Sequence, residues 1–285
     1  MNDAPFTLYE PTELTSSVVF AAPHSGRSYT LDFLDESRLD AHAIRASEDA
    51  FVDQLFQSVT CFGAPLLAAS APRAFVDLNR SCEDLDPALI YGVGSVGLNA
   101  RVASGLGVVP RVVAIGRPIY NGKISLVEAQ TRLQNIWHPY HQRLQALLDT
   151  TRRKFGHVVL IDCHSMPHAA VNPEQRSDTS PEIVIGDRFG AAAAPKIVDQ
   201  VQAAFVAGGF QVMRNNPFAG AYIGQHYGKP QRGQHVIQIE IDRSLYMDEA
   251  TILPLPDFAE FQTRLRVVIA QIVALEIEQV RLAAE

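Results

Sequence analysis

Short apolar runs rich in β-branched residues recur along the chain, separated by long stretches of helical periodicity. No other feature constrains the fold as much. Strands interrupted by such long insertions cannot all join as tight hairpins, so they must line up in a sheet that is at least partly parallel, with helices on its faces. The predicted strands are Val18–Ala22, Pro65–Ala69, Phe75–Leu78, Val112–Ile115, Val158–Asp162, Glu182–Ile185 and His235–Asp242. The predicted helices are Ser47–Val59, Leu126–Phe155, Ala191–Ala207 and Phe258–Ala284, with Pro139 kinking the second and Pro195 trimming the third. Ser125-Leu126-Val127-Glu128 opens the second helix with a capping-box pattern. No repeat or linker divides the chain, so the expectation is one three-layer α/β/α domain over residues 1–285.

Composition removes several function classes. A chain of 285 residues with 47% hydrophobic and 19% charged residues can bury a self-sufficient core and is not disordered. Lysine plus arginine number 24 against 31 aspartate plus glutamate, and the net charge of −7 argues against a nucleic-acid partner. Three widely spaced cysteines, Cys61, Cys82 and Cys163, read as free thiols of a reducing compartment. The first residues lack a leader pattern, and no apolar run approaches the roughly 18 residues of a membrane span. A soluble cytoplasmic protein without a membrane partner is expected. Oligomeric state is not legible in these features.

Residues with chemical potential gather where apolar runs stop. Val18–Ala22 ends at Pro23, and His24-Ser25-Gly26 follow; His157–Asp162 leads likewise to Cys163-His164-Ser165. Open α/β sheets bind ligands at strand carboxyl ends, where imidazole suits a metal or a proton transfer. A turn hydrogen bond would explain either histidine alone; the repetition points to two ligands on one rim. Cys163 as a nucleophile is the rival reading, although a strand would point it to the face opposite His164. Ser47-Glu48-Asp49 can simply cap and charge a helix start, or Asp49 can complete a two-histidine, one-carboxylate site. Alternation in His235–Arg243 sets Gln238, Glu240 and Asp242 on one face, with Glu240 a general base or part of an exposed edge.

Other segments offer weaker signals. Arg73 to Ser81 contains Asn79-Arg80, an amide and a planar fork suited to a substrate carboxylate; an arginine here paired with Asp77 would be merely structural. His138 and His141 have metal-like spacing that Pro139 disturbs, and one of them can line a pocket. Asn216–Gly228, with Tyr222, reads as a pocket loop or as an ordinary glycine-rich connection. The glycine-rich stretch Asp84–Pro110 reads equally as an active-site loop or an irregular excursion. Its Gly92–Gly97 run matches a dinucleotide fingerprint, but no strand enters it and no acid lies between Asp86 and Glu128 to bind a ribose.

Taken in order, Pro23–Gly26, Val76–Arg80, Asp162–Met166 and Gln238–Glu249 resemble the N-formylglutamate amidohydrolase family, over about Val18 to Glu249. The resemblance implies a fold similar to zinc carboxypeptidases (the zinc-exopeptidase, phosphorylase/hydrolase-like class), with a mixed, mainly parallel sheet of about eight strands. It also implies zinc, or another divalent cation, held by His24, Asp49 and His164, with Glu240 moving the proton. Asn79 and Arg80 would hold a carboxylate of a small acidic N-acyl amino acid. Arg73 or Arg243 would stabilise the oxyanion or a second carboxylate, and Tyr222 and His141 would line the substrate pocket. The implied reaction is cleavage of N-formyl-L-glutamate to formate and L-glutamate, in histidine breakdown. The likeness departs at the acidic ligand, because Arg27 stands where zinc carboxypeptidases carry theirs. Asp49 is expected instead, since Asp49 to Phe56 resembles the family's Asp-x-x-x-Asp-x-Leu-Phe, with Glu48 the alternative. Hydrolysis of another N-acyl amino acid or peptide is the nearest competing reading. A non-catalytic binder should lack a ligand or the base, and none is lacking.

Overall fold

Aliphatic and β-branched runs become strands where both faces of a sheet are covered, since their side chains suit a pleated, buried surface. The computed structural model describes residues 4–94, 99–171 and 180–275. Its strands are β1 (Phe6–Tyr9), β2 (Val18–Ala22), β3 (Leu66–Ala69), β4 (Val112–Val113), β5 (Arg117–Pro118), β6 (Val158–Met166), β7 (Ile183–Gly186), β8 (Val212–Arg214), β9 (Gln234–Asp242), β10 (Met247–Asp248) and β11 (Leu253–Pro254). Its α-helices are α1 (Leu31–Glu36), α2 (Val52–Phe56), α3 (Ala100–Ala103), α4 (Leu126–Arg132), α5 (His138–Phe155), α6 (Pro195–Ala207), α7 (Tyr222–Tyr227) and α8 (Phe258–Val273).

Seven strands form one sheet in the order β1-β3-β2-β6-β9-β7-β8. β6 pairs in parallel with β2 and β9, and β7 in parallel with β8; the β7–β9 pairing is antiparallel. The expected mixed, mainly parallel α/β sheet is therefore present, with one strand fewer among the described residues than the resemblance implied. Every residue of β2, β3, β6, β7 and β9 is buried, so both faces of the sheet are covered. Among the described residues no helix is long and apolar enough to cross a membrane.

The chain packs as two compact units. The first comprises residues 1–7, 23–50 and 68–144. Its aromatic centre is an edge-to-face pair of Phe33 and Phe75 at 4.9 Å, with the Arg132 guanidinium 4.0 Å over the Phe75 ring and donating to the Tyr120 hydroxyl at 2.6 Å. The second unit comprises residues 8–22, 51–67 and 145–285. There α2 packs on β2 and β6, α6 on β7 and β8, and α8 covers α2 and α6.

Several predicted elements differ for identifiable reasons. Leu126–Phe155 is not one kinked helix but α4, a π-helical turn over Leu133–Trp137, and α5. The widened turn precedes Pro139, which has no N–H to offer the Asn135 carbonyl. Phe75–Leu78 is a turn: the Phe75 and Val76 N–H groups donate to the Pro72 carbonyl at 2.9 and 3.2 Å. Ser47–Val59 breaks at Phe51, whose φ of 66° is left-handed, and only Val52–Phe56 is α-helical. Val112–Ile115 stops after two residues because Ile115 is left-handed as well, with φ 60°. β6 runs four residues past the predicted end to Met166, since β9 pairs with it throughout. Helix α6 starts at Pro195 and α8 ends at Val273; residues 276–284 of the last predicted helix, and 95–98 of the glycine-rich stretch, lie outside the described residues. Strands β1 and β8, at 4 and 3 residues, are too short to be found by pattern.

Two features generate tests. At Gly26 an added Cβ would lie 2.0 Å from the Ala71 carbonyl oxygen, whereas at Gly122 it would meet nothing. Urea denaturation should show Gly26→Ala losing at least about 2 kcal/mol and Gly122→Ala changing stability by less than about 1 kcal/mol. The second concerns His235 at the start of β9, whose Nδ1 accepts from the Ala194 N–H at 3.3 Å. Burial, and then the nearby His157, push its pKa from 6.5 down to about 4. The unfolded chain therefore takes up a proton below pH 6.5 that the folded chain refuses until about pH 4, and stability falls as pH drops through that window. His235→Asn keeps an acceptor but cannot titrate, so its denaturation midpoint should decline less than wild type between those pH values; parallel declines would refute the assignment.

Candidate metal centre

Strand β2 ends where Pro23 cannot continue a ladder, and in the first unit the chain turns sharply under the close approach of Gly26 to Ala71. His24 is buried there, with Nε2 2.8 Å from Asp77 Oδ1 and Nδ1 3.5 Å from Asp49 Oδ2. The Asp49 N–H donates to the His24 carbonyl at 3.0 Å, which ties the two segments together. Asp77 is further held by the Asn79 N–H at 2.8 Å and by Arg73 Nε at 3.1 Å. Burial alone would raise the Asp77 pKa, but Arg73, then His24 and Arg80, hold it well below the usual carboxylate range. An ionised carboxylate only accepts, so Nε2 of His24 donates to Asp77, and Nδ1 faces Asp49.

The adjacent acids have different environments. Arg45 grips Glu48 through both carboxylate oxygens, at 2.9 and 3.0 Å, and the Tyr29 hydroxyl donates to it at 3.2 Å. Burial, and next Glu48, push the Tyr29 phenol far up. Arg80 is buried with Nη1 and Nε bound to the Asn79 and Leu106 carbonyls at 2.8 and 3.0 Å. His141 braces the same turn, its Nε2 3.0 Å from the Leu78 carbonyl oxygen and its ring 4.0 Å from that of Trp137. A cavity of roughly 560 Å³ in this unit, lined by Phe33, Phe75, Gln134 and Pro139 among others, includes none of the predicted site residues.

In the second unit the β6–β9 register sets His164 directly beside Glu240 and Asp162 beside Gln238. Alternation along each strand puts all four on one face. His164 Nε2 lies 3.0 Å from Asp162 Oδ1, and Gln238 Nε2 donates to Glu240 Oε1 at 2.8 Å. Arg243, just past β9, donates from Nε to Ser165 Oγ at 3.1 Å. Tyr222 opens α7 and stacks on His226 with ring centroids 5.1 Å apart. Cys163 pairs with Ile239 on the opposite face, fully buried, and burial followed by Asp162 pushes its thiol well above the ordinary range. That is the wrong state for a nucleophile, which must be a thiolate.

Among the described residues one set of side chains could hold a metal ion: His24, Asp49 and His164, all buried, whose ligand atoms lie within 4.8 Å of one another. Two imidazole nitrogens and one carboxylate are a donor set that suits zinc with a position left open. Sequence reasoning gave Asp77 only the part of an ion-pair partner for an arginine, which Arg73 fulfils, and gave no part to Asp162, whose Oδ1 lies near the His164 ring. The signal was present: Asp162 stands two residues before His164 on a strand, hence on its face.

Residues 16–247 match the family described as N-formylglutamate amidohydrolase. The N-formylglutamate deformylases of Pseudomonas aeruginosa and Pseudomonas putida are each 28% identical to this chain over 235 residues, covering 81% of it and 82% of theirs. A crystal structure of N-formylglutamate amidohydrolase from Ralstonia eutropha JMP134 is similar with a TM-score of 0.88 and 33% identity, over 95% of this chain and 98% of that one. A gene product of Agrobacterium tumefaciens shares the fold with a TM-score of 0.65 and 17% identity, over 96% of each chain.

The thiols supply a direct test of the discarded nucleophile. A maleimide applied to the folded protein should label exposed Cys61 and leave buried Cys163 unmodified until denaturant is added. Rapid native labelling of Cys163, read by peptide mass spectrometry, would contradict its assigned burial.

Proposed function

The chain belongs to the N-formylglutamate amidohydrolase family, a family of amide hydrolases, and we propose that residues 1–285 act as one metal-dependent domain cleaving N-formyl-L-glutamate to formate and L-glutamate. The observation that carries this reading is the grouping of His24, Asp49 and His164, with Glu240 next to His164 in the sheet register. Zinc, or another divalent cation, held by those three residues would supply Lewis acidity toward the formyl oxygen and acidify a bound water. Asp77 would fix Nε2 of His24 and leave Nδ1 for the ion. The grip of Arg45 on Glu48 favours Asp49 as the carboxylate ligand.

Glu240 takes a proton from the attacking water and returns it to the departing amide nitrogen. Its Oε1 is held by Gln238, which keeps the carboxylate oriented between the two transfers. Arg80 receives a substrate carboxylate with its fork already fixed on two backbone carbonyls, so little side-chain freedom is lost on binding, and Asn79 adds an amide donor. Arg243 supplies positive charge for the developing oxyanion, Arg73 being engaged by Asp77, and Tyr222 and His141 bound the substrate pocket. The family resemblance extends the reading to a cytoplasmic enzyme of histidine breakdown.

Metal analysis of the purified protein should find about one zinc-like ion per chain, absent from His24→Ala and His164→Ala. Glu240→Gln should keep the ion yet release formate from N-formyl-L-glutamate at least about 100-fold more slowly. Full metal content in both alanine variants would remove the proposed centre, and an undiminished rate in Glu240→Gln would remove the proton carrier.

A further inference from the structure

The antiparallel β7–β9 pairing sets Val184 opposite Glu240 and Gly186 opposite Gln238. Residues directly opposite share a face, so Gly186 belongs to the face that carries Glu240. Where a side chain would stand at Gly186, the backbone of the following loop is packed instead: an added Cβ would lie 2.7 Å from Ala219 C and 2.9 Å from Gly220 N. The 215–220 loop therefore lies over that face, beside Gln238. Arg188, two residues past Gly186, is bound into it through its N–H, which donates to the Ala219 carbonyl at 2.7 Å. Its aliphatic stem lies across two glycines, so that a Cβ at Gly220 or Gly224 would press on it at 3.2 or 3.3 Å.

This arrangement is held against backbone preference. Arg188, Phe189 and Asn215 are all left-handed, with φ of 55°, 55° and 58°. The Asn215 amide locks the two loops by donating to Asp187 Oδ1 at 2.7 Å and accepting from the Asp187 N–H at 3.0 Å. Strained non-glycine residues persist where surrounding structure over-determines them, and they gather at ligand clamps. The guanidinium so held is half-buried, and among the described residues its polar side-chain partner is the neutral Gln225 Oε1 at 3.4 Å, with no carboxylate in an ion pair. Arginine cannot shed its charge, and its fork matches a carboxylate.

We propose that Arg188 binds the side-chain carboxylate of the acyl amino acid substrate. This deepens the function proposed above and rests on it for the substrate class, an acyl amino acid that carries a side-chain carboxylate. The test compares wild type with Arg188→Asn, chosen because asparagine tolerates a left-handed backbone. The ratio of kcat/KM for N-formyl-L-glutamate over N-formyl-L-glutamine, whose side chain is neutral, should fall about 10- to 100-fold, mostly through KM. Arg188→Lys, which keeps the charge without the fork, should fall between the two and carries the test if circular dichroism shows Arg188→Asn unfolded. An unchanged ratio in the folded variant overturns the proposal. Calorimetric binding of L-glutamate against L-glutamine separates it from the enzymatic reading. If wild type releases no formate yet prefers L-glutamate in an Arg188-dependent way, the reaction assignment fails and the carboxylate site stands. If formate is released but both proteins bind L-glutamate equally, or wild type shows no preference, the site fails and the reaction assignment stands.

Discussion

Parallel pairing of β6 with β9 in a single register is the constraint on which the rest depends. It brings His164 beside Glu240 and, two residues earlier, Asp162 beside Gln238, so that these four polar side chains share one face. Because side chains alternate with period two, a one-residue slip would turn this polar set into the apolar layer and expose Cys163, Ile239 and Ile241 in its place. The slip is prevented by burial: the nine residues of each strand are buried, and the opposite face carries Ile161, Cys163, Ile237, Ile239 and Ile241. The hydrophobic effect thus sets the positions of polar groups it does not itself stabilise.

Much of this was legible in the sequence. β2, β6, β7 and β9 announce themselves as apolar runs, and His24, His164 and Glu240 stand at or near strand carboxyl ends, where the topology leaves room for a ligand. The failures were local contests between backbone and side chain. Phe75–Leu78 alternates like a strand, but the Asp77 carboxylate takes the Asn79 N–H and closes a turn. Ser47–Val59 has helical spacing, yet Phe51 adopts a left-handed conformation that no pattern of hydrophobicity announces. The same blindness hid Arg188: only the backbone reveals that a non-glycine residue is held at positive φ.

Glu48 and Asp49 illustrate how context separates neighbours of the same chemistry. Arg45, three residues before Glu48, reaches it with both prongs because the intervening 3₁₀ turn (Ala43–Ser47) brings positions i and i+3 into line. A buried carboxylate matched by a guanidinium and a phenol has its desolvation offset and its lone pairs engaged. Asp49, one residue on and outside that turn, is directed to His24 instead.

The π-helical turn between α4 and α5 has a consequence for how the family can vary in length. A π turn fits one residue more than an α turn into nearly the same rotation, so loss of a single residue from Leu133–Trp137 would restore continuous α-helix with α4 and α5 close to their present phase. Arg132 would then stay over the Phe75 ring, and the aromatic centre of the first unit would keep its cation. Relatives one residue shorter in this segment should therefore retain the same cage, the length difference being absorbed where the helix widens.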